Sequence, residues 1–270
     1  MDELNNNEDL RENIEEELSI TDKIIGVLSE PTNLFQKLSL TKPKVIDWIL
    51  PILLLVIVAS LSRMIMMSNP EIKADAIEKQ MAIIEENFQE AVDKGNITQE
   101  QADEKIEEIR ERMEKGGIMT QLVGVIGALI SMFIVFFIIA GIFFLLAKIT
   151  LGGEGTYSHS LVAYGLPHYI IVIQIVVMII LAMSMNKMFL DTSLGSFLGL
   201  GNDTLIGVLS HKLDVFSIWF YAVISIAYAK MFKSESVGKY FIAIFSLWIG
   251  FSVLIFFLGK VVPFLKMFGM

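Results

Sequence analysis

The sequence predicts an all-α polytopic membrane protein: a bundle of five transmembrane helices, with a soluble α-helical hairpin inserted between spans 1 and 2. The strongest observation is the stretch from Ile118 to Ala147, thirty residues without a charged side chain. A helix of that length rises about 45 Å, more than the roughly 30 Å of a bilayer's hydrocarbon core. A second apolar run, from Leu166 to Asn186, follows after one glycine-rich turn. Two such runs in succession predict a transmembrane hairpin.

The distribution of charge separates the membrane part from the aqueous parts. The chain has 270 residues and a formal net charge of −9, of which residues 1–30 carry −8 and residues 71–115 carry −7. The remaining residues carry +6, as expected for a domain that faces a bilayer. Negative segments repel phosphate, so no nucleic-acid partner is expected. The sequence has no cysteine, which excludes disulfides and thiolate chemistry.

The segment before the first span divides into two parts. Residues 1–20 are acidic and polar, which predicts a disordered tail, and they lack the basic start and apolar core of a cleavable signal peptide. Residues 21–44 have apolar side chains at roughly helical spacing, interrupted at Pro31. This pattern predicts two short amphipathic helices that either lie on the membrane surface or pack against the bundle.

Spans are predicted over residues 46–67, 118–148, 166–187, 215–231 and 240–259. In the first span, Arg63 must extend toward an interface, while Asp47 marks the other one. Gln174 lies well inside the third span, where it is expected to hydrogen-bond to a neighbouring helix or to contact a substrate. Small residues in the second span predict the close approach of another helix; they are Gly124, Gly127, Ser131, Ala140 and Gly141.

Residues 68–117 are predicted to form an acidic helical hairpin. Its first helix begins at Pro70, and a second helix is capped by Thr98. The first helix has an apolar stripe that continues to Val92, and the second offers fewer apolar residues, so two interpretations remain. The stripe packs against the second helix, or part of it stays open as a docking surface. The candidate partner-binding residues are Ile77, Met81, Ile84 and Phe88.

No catalytic, cofactor or metal motif is found in the sequence. The histidines, His159, His168 and His211, match no zinc-binding spacing, and the nucleophile-elbow, phosphate-loop and dinucleotide signatures are missing. Every acidic residue lies at a predicted interface or in water, which disfavours a proton-coupled pump. We therefore expect no enzymatic activity, no cofactor, no metal and no small-molecule substrate.

The segment GGEGTYSHSLVAYGLP, residues Gly152 to Pro167, resembles the signature of the Yip family (Ypt/Rab-interacting protein family) of five-span membrane proteins. The matching residues include a proline that opens the third span in the family; they are Gly152, Gly153, Glu154, Gly155, Tyr157, Gly165 and Pro167. We expect the elbow glycines to adopt positive φ or to allow close backbone approach. Glu154 is expected to be an interfacial cap or ion-pair partner.

The segment around the first span carries a second, pre-membrane part of the resemblance. Pro31 and Phe35 are placed as in the bacterial members, and Asp47 and Pro51 keep the spacing of a eukaryotic motif. The three residues between Asp47 and Pro51 depart from that motif, which counts against a contact with a Rab-type GTPase. The Yip-like membrane domain is assigned to residues 45–67 and 118–265, and the hairpin lies outside it.

The resemblance implies a protein of the bacterial cytoplasmic membrane, with a cytoplasmic N-terminus and its C-terminus on the opposite side. Outside the hairpin, nine basic residues against five favour the same orientation. We expect a non-enzymatic scaffold or adaptor that contacts membrane lipids and either a protein partner or a second copy of itself. The alternative is a transporter or permease subunit with a water-filled cavity lined by Gln174, Ser131 and Tyr157. A third hypothesis, an intramembrane hydrolase, requires a serine–histidine pair.

Overall fold

The computed structural model describes residues 18–115, 118–189 and 191–261, and these residues form helices and loops without a β-strand. The all-α membrane bundle predicted from the sequence is therefore confirmed. The C-terminus and most of the predicted disordered tail lie outside the described residues. The helices are α1 (Ile20–Ser29), α2 (Pro31–Leu38), α3 (Ile46–Met67), α4 (Pro70–Asp93), α5 (Gln99–Lys115), α6 (Ile118–Leu145), α7 (Tyr157–Gly165), α8 (His168–Met185), α9 (Leu194–Leu198), α10 (Leu205–Lys212), α11 (Val215–Met231) and α12 (Val237–Val261).

Among the described residues, four helical segments are long and apolar enough to cross a membrane: Ile46–Met67, Gly124–Thr150, Tyr157–Met185 and Val237–Lys260. The second of these continues α6 through a π-helical turn, Leu146–Thr150. Helices α10 and α11 satisfy the same criteria only together, and they meet at a bend of 66°. Helix α11 alone has 17 residues, about 25 Å, so it is shorter than the hydrocarbon core. The predicted fourth span thus corresponds to the second half of a bent pair.

The helix of the third candidate span begins at Tyr157, ahead of the predicted Leu166, and it continues through Pro167. Leu166 and Pro167 both keep right-handed helical angles, with φ of −55° and −59°. Tyr169 N–H donates to Leu166 O at 3.2 Å and Ile170 N–H to Pro167 O at 2.9 Å, so a tighter turn with i→i−3 bonds carries the helix past the proline. Pro167 therefore lies inside a long helix instead of opening it. The last span likewise begins at Val237, before the predicted Tyr240.

Helix α11 occupies the centre of the bundle, in contact with α2, α7, α8 and α12. Tyr228 is fully buried, and its hydroxyl lies 2.6 Å from the hydroxyl of Ser160 on α7. Ser160 donates to the carbonyl oxygen of Ala140 on α6 at 2.7 Å. A hydrogen bond in an apolar interior is costly to leave unmade, so this chain fixes three helices against one another.

Helices α6 and α12 lie at the periphery of the bundle, where few of their described apolar side chains are buried. A Cβ atom added at Gly124, Gly127 or Gly141 would meet no atom within 4 Å. The prediction that these small residues bring another helix close is therefore wrong within this chain. Ala140 alone among the five small residues is fully buried, because α7 packs there.

Helices α1 and α2 pack against the bundle, which decides between the two placements predicted for the amphipathic segment. Val27 and Phe35 are fully buried and belong to the same apolar core as α11. Ile20 and Ile25 on α1, and Leu40 just after α2, are about half exposed. The segment is thus part of the folded domain, with an apolar surface left toward lipid.

Candidate functional site

The elbow, residues 151–156, joins the second span to α7. Gly152 has φ of +69°, a conformation that favours glycine. The N–H of Gly153 donates to Ala147 O at 2.9 Å, and the N–H of Glu154 donates to Phe232 O at 3.0 Å. The elbow therefore folds back onto the end of the second span and onto the loop between α11 and α12.

Gly153 and Gly155 face the side chain of Phe232. A Cβ atom at Gly153 would lie 2.7 Å from the Cβ atom of Phe232 and 2.8 Å from the hydroxyl oxygen of Tyr240. A Cβ atom at Gly155 would lie 2.8 Å from the ring of Phe232. These distances are below van der Waals contact, so the two glycines serve close packing, whereas Gly152 serves the turn.

The charged groups around the elbow lie at its exposed edge. Glu154 and Lys233 are 4.0 Å apart, with side chains 74% and 61% exposed. Pairs this exposed contribute little to stability. Lys239 Nζ donates to Leu151 O at 3.0 Å, which ties the start of α12 to the elbow. The backbone of Glu154 is therefore better placed than its side chain to hold the elbow.

The remaining elbow-motif residues lie along α7. The Tyr157 hydroxyl donates to Phe137 O at 2.9 Å. A Cβ atom at Gly165 would lie 2.5 Å from the Cβ atom of Trp48, so glycine is needed where α7 meets α3. Pro167 follows immediately. Both ends of α7 thus contact neighbouring helices through glycine.

The pre-membrane motif is centred on a buried ion pair. Lys23 Nζ on α1 lies 2.6 Å from Asp47 Oδ1 on α3, and the two side chains are only 9% and 4% exposed. Pro31 begins α2, and Phe35 is fully buried in the core. Pro51 is buried within the second turn of α3. The motif residues therefore fasten the N-terminal helices to the first span, and the sequence alone did not identify Lys23 as the partner of Asp47.

Gln174 belongs to a second buried polar cluster, at the start of α11. Its Nε2 donates to Asp214 Oδ2 at 2.6 Å and to Thr192 Oγ1 at 3.0 Å. Asp214 also accepts bonds from Thr192, Phe216 N–H and Ser217, so it caps α11. This is the expected bond to a neighbouring element.

The three residues expected to line a transport cavity are not brought together. Ser131 is exposed on α6, Tyr157 is bonded to Phe137, and Gln174 is engaged by Asp214. The prediction of a water-filled cavity between them is therefore not supported by their placement.

A serine–histidine contact, the requirement for a hydrolase, is present in the loop that follows α8. Ser193 Oγ lies 3.0 Å from His211 Nδ1 and 2.5 Å from Asp191 Oδ1, to which it donates. His211 Nε2 lies 2.8 Å from Leu200 O, a carbonyl that can only accept, and Ser193 is fully buried. The hydroxyl already gives its proton to Asp191 and is closed to a substrate. These hydrogen bonds hold the loop after α8 against His211 on α10, and we call Asp191, Ser193 and His211 the loop clamp. Ser193 also caps α9.

Asp191 is the acceptor that organises this clamp. Burial acts to raise the pKa of Asp191, but hydrogen bonds from Ser193, Ser196 and His211 outweigh it and hold that pKa below its usual value of 3.8. Within the part of the chain that the structure describes, no three histidine, aspartate or glutamate side chains form a metal-binding group.

The hairpin, α4 and α5, covers much of its own apolar stripe. Met81 is buried, while Ile77, Ile84 and Phe88 are half-buried. Helix α4 packs along α5, and Ala102 on α5 is 1% exposed. The base of the hairpin is attached to α8, where Asn69 Nδ2 donates to Asn186 Oδ1 at 2.8 Å. Packing within the hairpin therefore covers Met81 fully and the other three candidate residues in part.

Comparison with known proteins identifies one family. A profile of the Yip1 domain matches residues 25–258, which include α2 to α11, the second half of α1 and most of α12. Curated proteins and solved structures gave no significant match.

We predict that Gly153→Ala destabilises the protein by about 1–3 kcal/mol, because the added methyl group overlaps Phe232 and Tyr240. Thermal and denaturant unfolding in detergent would measure this. Gly141→Ala is the matched control, since its methyl group meets open space and the alanine favours the helix. Equal stability of the two variants would contradict the role assigned to Gly153.

Removing one member of the buried pair, in Asp47→Ala, leaves the Lys23 ammonium without its partner and should cost about 3–5 kcal/mol. The double variant Lys23→Met, Asp47→Leu should recover most of this loss, because it removes both buried charges. Glu85→Ala, which breaks the exposed pair with Arg110, serves as the control and should change the unfolding free energy by less than about 1 kcal/mol. A double variant as unstable as Asp47→Ala would refute the explanation by charge.

The lowered pKa of Asp191 predicts a stabilisation that is complete above pH 3.8 and lost as the pH falls through the folded-state pKa. Asp191→Asn should therefore lower thermal stability at pH 7 and flatten its decline below pH 3.8. Asp203→Asn, a carboxylate of the same segment outside the clamp, should keep the wild-type decline. The same flattening in both variants would argue against the clamp.

Proposed function

This chain belongs to the Yip1 domain family, and from that premise we propose that it is a non-enzymatic multi-pass membrane scaffold or adaptor that acts through protein–protein contacts. The observation that carries the proposal is how its buried polar side chains are used. Ser160, Gln174, Asp214 and Ser193 are all bonded to neighbouring elements. These groups hold helices and loops together, and none is left facing a cavity where a substrate would bind.

The hairpin is the part of the chain that we propose contacts the partner. Residues 71–115 contain fourteen acidic and seven basic residues, which is enough to steer a basic partner to this surface. Lasting affinity requires apolar anchors. Ile77, Ile84 and Phe88 are only half-buried, and Ile83 is 46% exposed on the outer face of α4. A protein with a basic surface and a small apolar centre fits this combination.

We propose that the N-terminus lies in the cytoplasm, so that the hairpin and the C-terminus lie on the opposite side of the membrane. The basic residues outside the hairpin, nine on the cytoplasmic side against five on the other, support this arrangement.

A transporter or permease subunit remains the second candidate. Its polar site near Gln174 would have to open first, since Asp214 and Thr192 already occupy the amide of Gln174.

Replacing residues 71–115 with a short Gly-Ser linker should abolish the main complexes that cross-linking captures in intact membranes. A second variant keeps the hairpin and changes exposed carboxylates to amides, at Glu78, Glu86, Glu104 and Glu107. Because glutamine is a helix former like glutamate, this variant should fold, and its complexes should weaken severalfold and become less sensitive to salt.

Protease protection of the spans would first establish that each variant is correctly inserted. Gln89→Ala is the control on the same surface, since it changes an exposed side chain without changing charge. Unchanged complexes from an inserted linker variant would overturn the proposed role of the hairpin.

A further inference from the structure

Residues 191–213, between α8 and α11, have polar side chains inside and apolar side chains outside; we call them the α9–α10 segment. Ser193 is fully buried and bonded within the loop clamp, and the His211 side chain is only 17% exposed. Several large apolar side chains are exposed instead: Leu194, Phe197, Leu198, Ile206, Leu209 and Leu213. A protein surface that faces water rarely has this pattern, which marks a contact with lipid or with another protein.

Close packing of the two helices holds this pattern in place. A Cβ atom at Gly195 on α9 would lie 2.7 Å from the ring of His211 on α10. On α10, Val208 is 5% exposed, whereas Ile206 is 74% and Leu209 39% exposed. Residues three apart lie on one face of a helix, so Ile206 and Leu209 together form the outer face of α10. The apolar face of α10 therefore points away from the loop clamp.

The α9–α10 segment lies beside the third span, not beyond its end. Thr192 accepts a hydrogen bond from Gln174, which is about 17 Å before the end of α8 at Met185. Helix α10 also contacts α12, another span. A hydrocarbon core that begins at Tyr157 ends about 30 Å further on, and Gln174 lies about 26 Å from Tyr157. The segment is therefore level with the boundary of the core nearer the hairpin.

Charge does not attract this segment to a membrane. It contains two acidic residues, Asp191 and Asp203, and one basic residue, Lys212. Asp191 is already bonded within the loop clamp. Interfacial helices that bind through charge have lysine and arginine along their polar face. The segment therefore offers its exposed apolar side chains to its surroundings, and at its depth those surroundings are acyl chains.

We propose that α9 and α10 insert their outer, apolar face into one leaflet of the bilayer, on the side of the hairpin, without selecting anionic headgroups. The loop clamp gives the polar side chains partners inside the protein, as groups next to hydrocarbon require. Leu194 N–H donates to Leu213 O at 3.0 Å, and Thr192 donates to Asp214, which caps α11. Insertion therefore holds the start of α11, the central helix of the bundle, at a fixed depth in this leaflet.

Fluorescence of a single label at Ile206→Cys, in the full chain reconstituted into phosphatidylcholine vesicles, tests the insertion. The chain has no cysteine, so the label has one attachment site, and Ile206 is exposed enough for the variant to fold. We expect a nitrobenzoxadiazole label at this position to emit as in an apolar environment. Lipids with a nitroxide near the headgroup should quench it severalfold more than lipids with a nitroxide at the chain end, because interfacial helices insert only about 5–10 Å.

Two further variants serve as controls. Asn202→Cys places the label in the polar turn between the two helices, where it should emit as in water and be quenched weakly. Ile242→Cys, at a 73% exposed position on α12, should be quenched as lipid-facing positions of a span are. Adding an equal amount of phosphatidylglycerol to the vesicles should leave the Ile206 result unchanged.

Three outcomes would overturn the proposal. In the first, the label at Ile206 is quenched no more strongly than the label at Asn202. In the second, quenching at Ile206 requires phosphatidylglycerol, so that headgroup charge drives the contact. In the third, the label is shielded from both water and lipid, because a second copy of the chain or another protein covers this face.

Discussion

The hydrogen bonds of Ser160 join three helices at the centre of this bundle, and the rest of the arrangement depends on them. The hydroxyl of Ser160 contacts both the carbonyl of Ala140 and the hydroxyl of Tyr228. In a bilayer, water cannot satisfy such groups, so each must find its partner inside the protein. This requirement fixes α11 against α7 and α6, and α11 in turn supplies the surface on which α2, α8 and α12 pack.

The glycine motif performs a packing function around that centre. Gly153 and Gly155 allow the Phe232 side chain to lie directly against the backbone of the elbow, and Gly165 does the same for Trp48 at the other end of α7. Small residues at helix contacts are the usual means of close approach within membranes. The motif is consequently explained by the geometry of α7, and the exposed side chain of Glu154 adds little to it.

Polar side chains in this protein fall into two groups with different consequences. Lys23 with Asp47, Gln174 with Asp214, and Asp191 with His211 are satisfied within the fold, where they hold helices and loops together. Arg63 is different, because it lines an open cavity of about 920 Å³ between α3, α6 and the hairpin.

The sequence by itself determined the fold class, the hairpin and the presence of the elbow, because long apolar runs and helix caps are local properties. It did not predict that the helix of the third span starts at Tyr157, because the tighter backbone bonds of Tyr169 and Ile170, which carry the helix past Pro167, cannot be read from a proline alone. Only the tertiary structure decided that Gly153 packs closely whereas Gly124 does not, and that Lys23 pairs with Asp47. These outcomes depend on residues distant in sequence, whose approach is set by the packing of the whole bundle.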